Sequence, residues 1–200
     1  NQALSGNNMR DSVYQVLDDF IFEEINSQAN LGTPDMWDWE YLKQRFASHI
    51  MVDISYEKMS KDLGEVDNNE KIIDWILTKA KSIYKAREDL IPEQVIRGFE
   101  RFIMLRSIDE KWKDHLYAMD QLREGINLRA YGQKNPLLEY KSEGFKMFQE
   151  MMADMNATTI QRLYRTQLKG IEQSNTQNRP TIKNMQTSHQ DTTGMGLQGK

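Results

Sequence analysis

Residues 105–140 read Leu105-Arg-Ser-Ile-Asp-Glu-Lys-Trp-Lys-Asp-His-Leu-Tyr-Ala-Met-Asp-Gln-Leu-Arg-Glu-Gly-Ile-Asn-Leu-Arg-Ala-Tyr-Gly-Gln-Lys-Asn-Pro-Leu-Leu-Glu-Tyr140. Around this stretch, apolar side chains recur at Val95, Phe99, Phe102, Leu105, Ile108, Trp112, Leu116, Met119, Leu122 and Ile126. Every step is three or four residues, which is the repeat of one α-helical face. Taken from Pro92 to Gly125, such a helix is about 50 Å long at about 1.5 Å per residue. A second series, Leu138, Phe145, Phe148, Met152, Met155 and Leu163, follows a short polar and aromatic loop. Two helical faces joined in this way predict an antiparallel αα-hairpin.

Going outward toward the N-terminus, Val13, Val16, Leu17, Phe20, Ile21 and Ile25 form an apolar stripe on a helix that Asn8 can cap and Asp11 can support electrostatically. Gly32 ends it. Thr33-Pro34 is a helix-start signal for a segment carrying Trp39, Leu42, Phe46 and Ile50. Ser55 can cap a short helix with Tyr56, Met59 and Leu63, and residues 64–69 read as a polar connection. Ile72, Ile73, Ile76, Ala80, Ile83 and Tyr84 mark a further helix. No segment alternates in the manner of a strand. The expected fold is therefore all-α: a small helical bundle over residues 1–91, then the long hairpin over 92–168. Residues 169–200 contain no aromatic side chain and are rich in Gln, Asn, Thr, Ser and Gly. They predict a disordered tail, because little apolar burial is available to offset chain entropy.

Composition narrows the function classes. The net charge is −4, with a balance of −7 over residues 1–91 and +1 over residues 92–168. No segment is basic enough to indicate nucleic acid. The absence of cysteine excludes disulfides and thiolate metal sites. The three histidines, His49, His115 and His189, have no metal-ligand spacing, and no glycine-rich phosphate loop occurs. Asp114-His115 are adjacent, so on a helix they point in different directions and form no oriented catalytic pair. No nucleophile accompanies them, and an enzyme reading has no constellation to rest on.

Trp112-Lys-Asp-His-Leu, Met119-Asp-Gln-Leu-Arg-Glu-Gly-Ile, Leu128-Arg-Ala-Tyr-Gly-Gln-Lys-Asn-Pro-Leu and Glu139-Tyr-Lys-Ser-Glu-Gly-Phe-Lys-Met-Phe closely resemble the SecA family of preprotein translocase motors. The match is dense over roughly fifty residues, on the two-helix finger of that family's helical scaffold domain. By order along the chain, residues 1–91 fit the helical wing domain, with the first few residues as a candidate for the end of the long scaffold helix that precedes it, residues 92–168 the finger and residues 169–200 the C-terminal linker. The chain reads as an excised fragment, since this family carries its nucleotide-binding domains upstream.

The resemblance implies a mechanical role. ATP and Mg would be bound by domains absent here, with no cofactor in this segment. Partners would be the SecYEG channel, secretory preproteins and the remaining SecA domains. Localisation would be cytoplasmic, peripherally associated with the inner face of the plasma membrane. At the fingertip, Gly125 is expected to loosen or end the first helix, and Asn135-Pro136 to restart the second. Arg129, Tyr131, Gln133 and Lys134 lie between, and the resemblance assigns them contact with preprotein at the channel mouth. Trp112 and Arg129 are candidates for contact with the absent motor domains, although core packing also accounts for a tryptophan in the apolar series. Gly132 stands where many family members have alanine. The methionines Met147, Met151, Met152 and Met155 suit core filling of the hairpin or a pliable peptide surface. A second reading, of another class, is a free-standing helical adaptor that binds partner helices through an exposed hairpin face.

Overall fold

The chain's architecture is given by a computed structural model that describes residues 9–64, 68–129 and 135–168, with residues 127–129 described by backbone alone. Six α-helices occur among the described residues: α1 Met9–Ala29, α2 Trp39–Ile50, α3 Tyr56–Leu63, α4 Asn69–Glu88, α5 Glu93–Arg129 and α6 Pro136–Arg165. No strand occurs among them, and the described residues up to Gln167 belong to one compact unit. The expected all-α fold is observed. The expected cap Asn8 and tail 169–200 lie outside the described residues.

The core is built on α1. Val13, Leu17, Phe20, Ile21 and Ile25 are buried, as their spacing predicts. They meet Leu42, Phe46 and Ile50 of α2, Ile72, Ile76, Ala80 and Tyr84 of α4, Ile103 of α5, and Ala157, Ile160, Leu163 and Tyr164 of α6. Residues from both sides of position 91 thus share one apolar cluster.

Several local starts differ from the sequence reading. Thr33-Pro34 opens only a 3-10 turn, Pro34–Met36; α2 starts at Trp39 behind Asp38, whose side chain accepts from the Tyr41 backbone N–H. Two indole N–H groups hold this corner: Trp37 donates to Gly32 O at 3.0 Å and Trp39 to Pro34 O at 2.7 Å. Gly32 has φ 141°, and a Cβ there would lie 2.9 Å from the Met36 sulphur. The positive φ favours glycine here, while the exposed Met36 side chain could move aside. Ser55 caps α3 as expected, by accepting from the Lys58 N–H. Residue 69 belongs to α4 rather than to the connection, because Asn68 accepts from the Glu70 N–H and caps the helix one residue early.

The long helix is unbroken over 37 residues, about 55 Å at about 1.5 Å per residue. Gly125 does not end it. One interior glycine costs about 1 kcal/mol relative to alanine, which a long helix absorbs. The Asn135 side chain accepts from the Leu137 N–H and Pro136 takes the first helical position, so α6 restarts where expected.

Candidate functional site

Polar rungs fix how α6 returns along α5. Arg162 donates to Ser107 Oγ at 3.2 Å and to both oxygens of Glu110 at 3.0 and 2.8 Å. Lys111 Nζ lies 2.6 Å from Asp154 Oδ2. Nearer the tip, Gly144 sits against Met119. As the α5 number rises the α6 number falls, which defines an antiparallel pair.

The face that α5 buries is only in part the apolar series read from the sequence. Its buried residues are Ile96, Glu100, Ile103, Ser107, Leu122 and Ile126, a stripe with polar members. Of the expected series, Leu122 and Ile126 are buried and Val95, Phe99 and Met119 half-buried, but its middle points outward: Phe102 is 57% exposed, Trp112 46% and Leu116 50%. Leu105 and Ile108 are also exposed, as are Leu138, Phe145, Phe148 and Met152 on α6. Both stripes repeat at helical spacing, so periodicity alone cannot say which meets the bundle. Three rings join the outer faces of the two helices. Trp112 and His115 have centroids 5.6 Å apart, and His115 meets Phe148 edge-on at 5.9 Å. The result is an apolar and aromatic face spanning both arms of the hairpin. Met147, Met151 and Met155 are half-buried, while Met152 is exposed.

Of the candidate site residues, Trp112 belongs to this outer face and not to the core. Arg129 is the last residue of α5, and its side chain is not described. The two positions are separated by about 25 Å along the helix at about 1.5 Å per residue, so they do not form one cluster. Tyr131, Gln133 and Lys134 lie outside the described residues.

A charged network that the sequence reading missed secures the inner end of α5. Glu100 is fully buried at 0% exposure. It accepts from the Tyr84 hydroxyl at 2.7 Å and, through both oxygens, from Arg97 Nη1 at 2.7 Å. Arg97 also donates to Glu88, whose other oxygen is 3.0 Å from Arg10 Nη2. Burial first, then the Glu100 carboxylate, pushes the Tyr84 hydroxyl well above its ordinary value. This network ties α1, α4 and α5 together. Arg87 donates to the carbonyls of Leu163, Tyr164 and Thr166, which satisfies the C-terminal end of α6. Arg165 does the same for α2 through Ser48 O at 2.6 Å and Ala47 O at 3.3 Å. The one available signal was Glu100 interrupting the Ile96–Ile103–Ser107 stripe.

Among the described residues, no group of three His, Asp or Glu side chains converges to hold a metal ion. No described helix is long and apolar enough to cross a membrane.

Comparison with known proteins agrees with this architecture. The family model described as SecA Wing and Scaffold domain matches residues 1–167. Protein translocase subunit SecA of Pelotomaculum thermopropionicum is 37% identical over 184 residues, covering 92% of this chain and 20% of that protein. The protein of the same name from Desulforudis audaxviator is 37% identical over 179 residues, 86% of this chain and 20% of its own length. That from Carboxydothermus hydrogenoformans is 36% identical over 165 residues, 82% of this chain and 18% of its own length. The chain therefore spans about a fifth of these relatives. On the match across residues 1–167, the chain belongs to the SecA wing and scaffold domain family.

Proposed function

We propose that this chain is the wing, two-helix finger and linker of a SecA-like ATP-driven motor, and that it couples motor movements to preprotein at the SecY channel. The observation that carries this reading is the unbroken α5 with its antiparallel return. A stiff helix pair held at one end by a buried ionic network transmits displacement to the loop at the other. Residues 1–91 would be the wing, and residues 92–168 the scaffold finger. Arg129, Tyr131, Gln133 and Lys134 would meet the preprotein, with the tyrosine offering apolar area that makes no sequence-specific demand. Trp112, on the outer face, would meet the motor domains that bind ATP and Mg. The setting would be the cytoplasmic side of the membrane, with peripheral attachment.

The test is Tyr131→Ala in the full-length parent. Preprotein transport is expected to fall while folding and nucleotide binding are retained. Unimpaired transport would remove Tyr131 from the contact set.

The exposed stripe on the hairpin also favours the adaptor reading. A monomeric chain that binds SecA nucleotide domains supports the motor reading; capture of unrelated helices through the same stripe, without binding those domains, supports the adaptor.

A further inference from the structure

The ionic network at the root of α5 has a line along which it divides without stranding a charge. It holds two cations and two anions: Arg10 on α1, Glu88 on α4, and Arg97 and Glu100 on α5. Among the described residues, two hydrogen bonds of this network cross from α4 to α5, Tyr84 to Glu100 and Arg97 to Glu88. Broken there, the network leaves Arg97 on both oxygens of Glu100, within α5, and Arg10 beside Glu88. Each half is neutral. Arg87 of α4 also meets this turn, over the Phe99 ring at 5.2 Å. Its three α6 carbonyls hold it whether or not Phe99 stays. Divided between α1 and α4 instead, the network would leave Arg97 alone to balance two buried carboxylates, which is costly.

The state of Glu88 fits such a division. Its side chain is 7% exposed, yet no donor among the described residues points at its Oε2. Arg10 Nη2 is 3.0 Å from that oxygen but is turned to the Tyr14 hydroxyl, at 3.3 Å. One oxygen of Glu88 is thus filled by Arg97, and the other is open to Arg10. α5 itself packs chiefly on α6, and then on α1, rather than on α4.

We infer that the contact between α4 and α5 is a releasable joint, in which Glu88 exchanges Arg97 for Arg10 as the root of α5 parts from α4 about the connection at residues 89–92. Arg10 is then a positioning residue. Half-exposed and off-axis, it adds little to the closed joint and stabilises the open one. The joint is the same whether the hairpin serves a motor or an adaptor.

The test is relaxation dispersion of isoleucine methyl groups in the 200-residue chain, which reports exchange with a minor state on the μs–ms scale. Exchange is expected at Ile96 and Ile103, buried on α5, and not at Ile21 and Ile25 of α1. Tyr84→Phe removes a bond across the line and is expected to raise the minor-state population about tenfold. Arg10→Gln is expected to lower it about tenfold, because opening then strands Glu88. In a Glu88→Gln background, Arg10→Gln is expected to change nothing. A merely structural Arg10 has the opposite sign, since its loss would loosen the root and raise the population. That rise would overturn the inference. So would an equal effect of Arg10→Gln with Gln at position 88, or no exchange at Ile96 and Ile103 in either the unaltered chain or Tyr84→Phe. The motor reading is decided separately, by Tyr131→Ala in the parent.

Discussion

Gly144 of α6 and Met119 of α5 meet so closely that a Cβ at Gly144 would lie 3.0 Å from Met119 Cε and 3.4 Å from its sulphur. This contact sets the spacing of the hairpin arms toward the tip, where few other residues are buried. The obstructing atom is the far end of a flexible side chain, which can yield by a few tenths of an ångström. Gly144→Ala is therefore expected to be stabilising by up to about 1 kcal/mol, through helix propensity. Gly144→Val adds branches that Met119 cannot clear and is expected to cost about 1–3 kcal/mol. Urea unfolding of the two variants checks the opposite signs.

The buried carboxylate at the base of α5 gives a second expectation. Tyr84→Phe removes one hydrogen bond to Glu100 and leaves Arg97 in place, so about 2 kcal/mol is expected, the usual size for a bond to a charged group. Glu100→Ala leaves Arg97 with only the Glu88 contact and is expected to cost about 3–5 kcal/mol. The two changes act on one network, so the double variant loses less than their sum. Equilibrium denaturation of the three variants measures this coupling.

Acid sensitivity is expected to start at His49. Arg45 Nη1 donates to its Nε2 at 3.0 Å, and the Nδ1 side faces Arg45 O at 2.9 Å, so the ring is neutral in this setting. Burial, then the charge of Arg45, holds its pKa below the ordinary histidine value of 6.5. The unfolded chain takes up a proton first as pH falls. The stability linked to this ring is therefore complete above about pH 6.5 and is lost as pH falls through the lower folded value. Melting curves between about pH 7.5 and 5 are expected to show this slope. His49→Gln flattens it, while losses at lower pH remain, including that from Glu110, whose carboxyl Arg162 holds below its usual range.

Trp112→Ala separates the outer face from the core. Half-exposed in this chain, Trp112 is expected to cost no more than about 1 kcal/mol when truncated, near the range of surface changes. Ile160→Ala, at 0% exposure, is expected to cost about 2–5 kcal/mol. A Trp112 penalty as large as that of Ile160 would place the tryptophan in the core after all.

The sequence made α1 legible because only one of its faces is apolar. Val13, Leu17, Phe20, Ile21 and Ile25 had one possible destination. The long helix was legible as a helix but not in its orientation. It carries two stripes, and the more apolar one, through Phe102, Trp112 and Leu116, is the one this chain leaves bare. The packed stripe contains Glu100 and Ser107, whose partners come from Tyr84, Arg97 and Arg162. Arg165 reaches carbonyls 117 and 118 positions away, and no local pattern encodes such a pairing. Thr33-Pro34 was the start signal read from the sequence, whereas Asp38 is the cap of α2. The tryptophan contacts to Gly32 O and Pro34 O, which hold the corner ahead of α2, are not encoded in any cap signal.

Between Ser107 and Leu122, α5 contributes no buried residue, and Arg129 lies about 33 Å beyond Ser107 along the helix, at about 1.5 Å per residue. A rotation of about 10° there sweeps the far end through roughly 6 Å, close to the helical pitch of about 5.4 Å. On the proposed motor reading, the stroke would be the angle turned at Ser107 multiplied by the length of helix beyond it, and inserting heptads beyond Ser107 would amplify it in proportion.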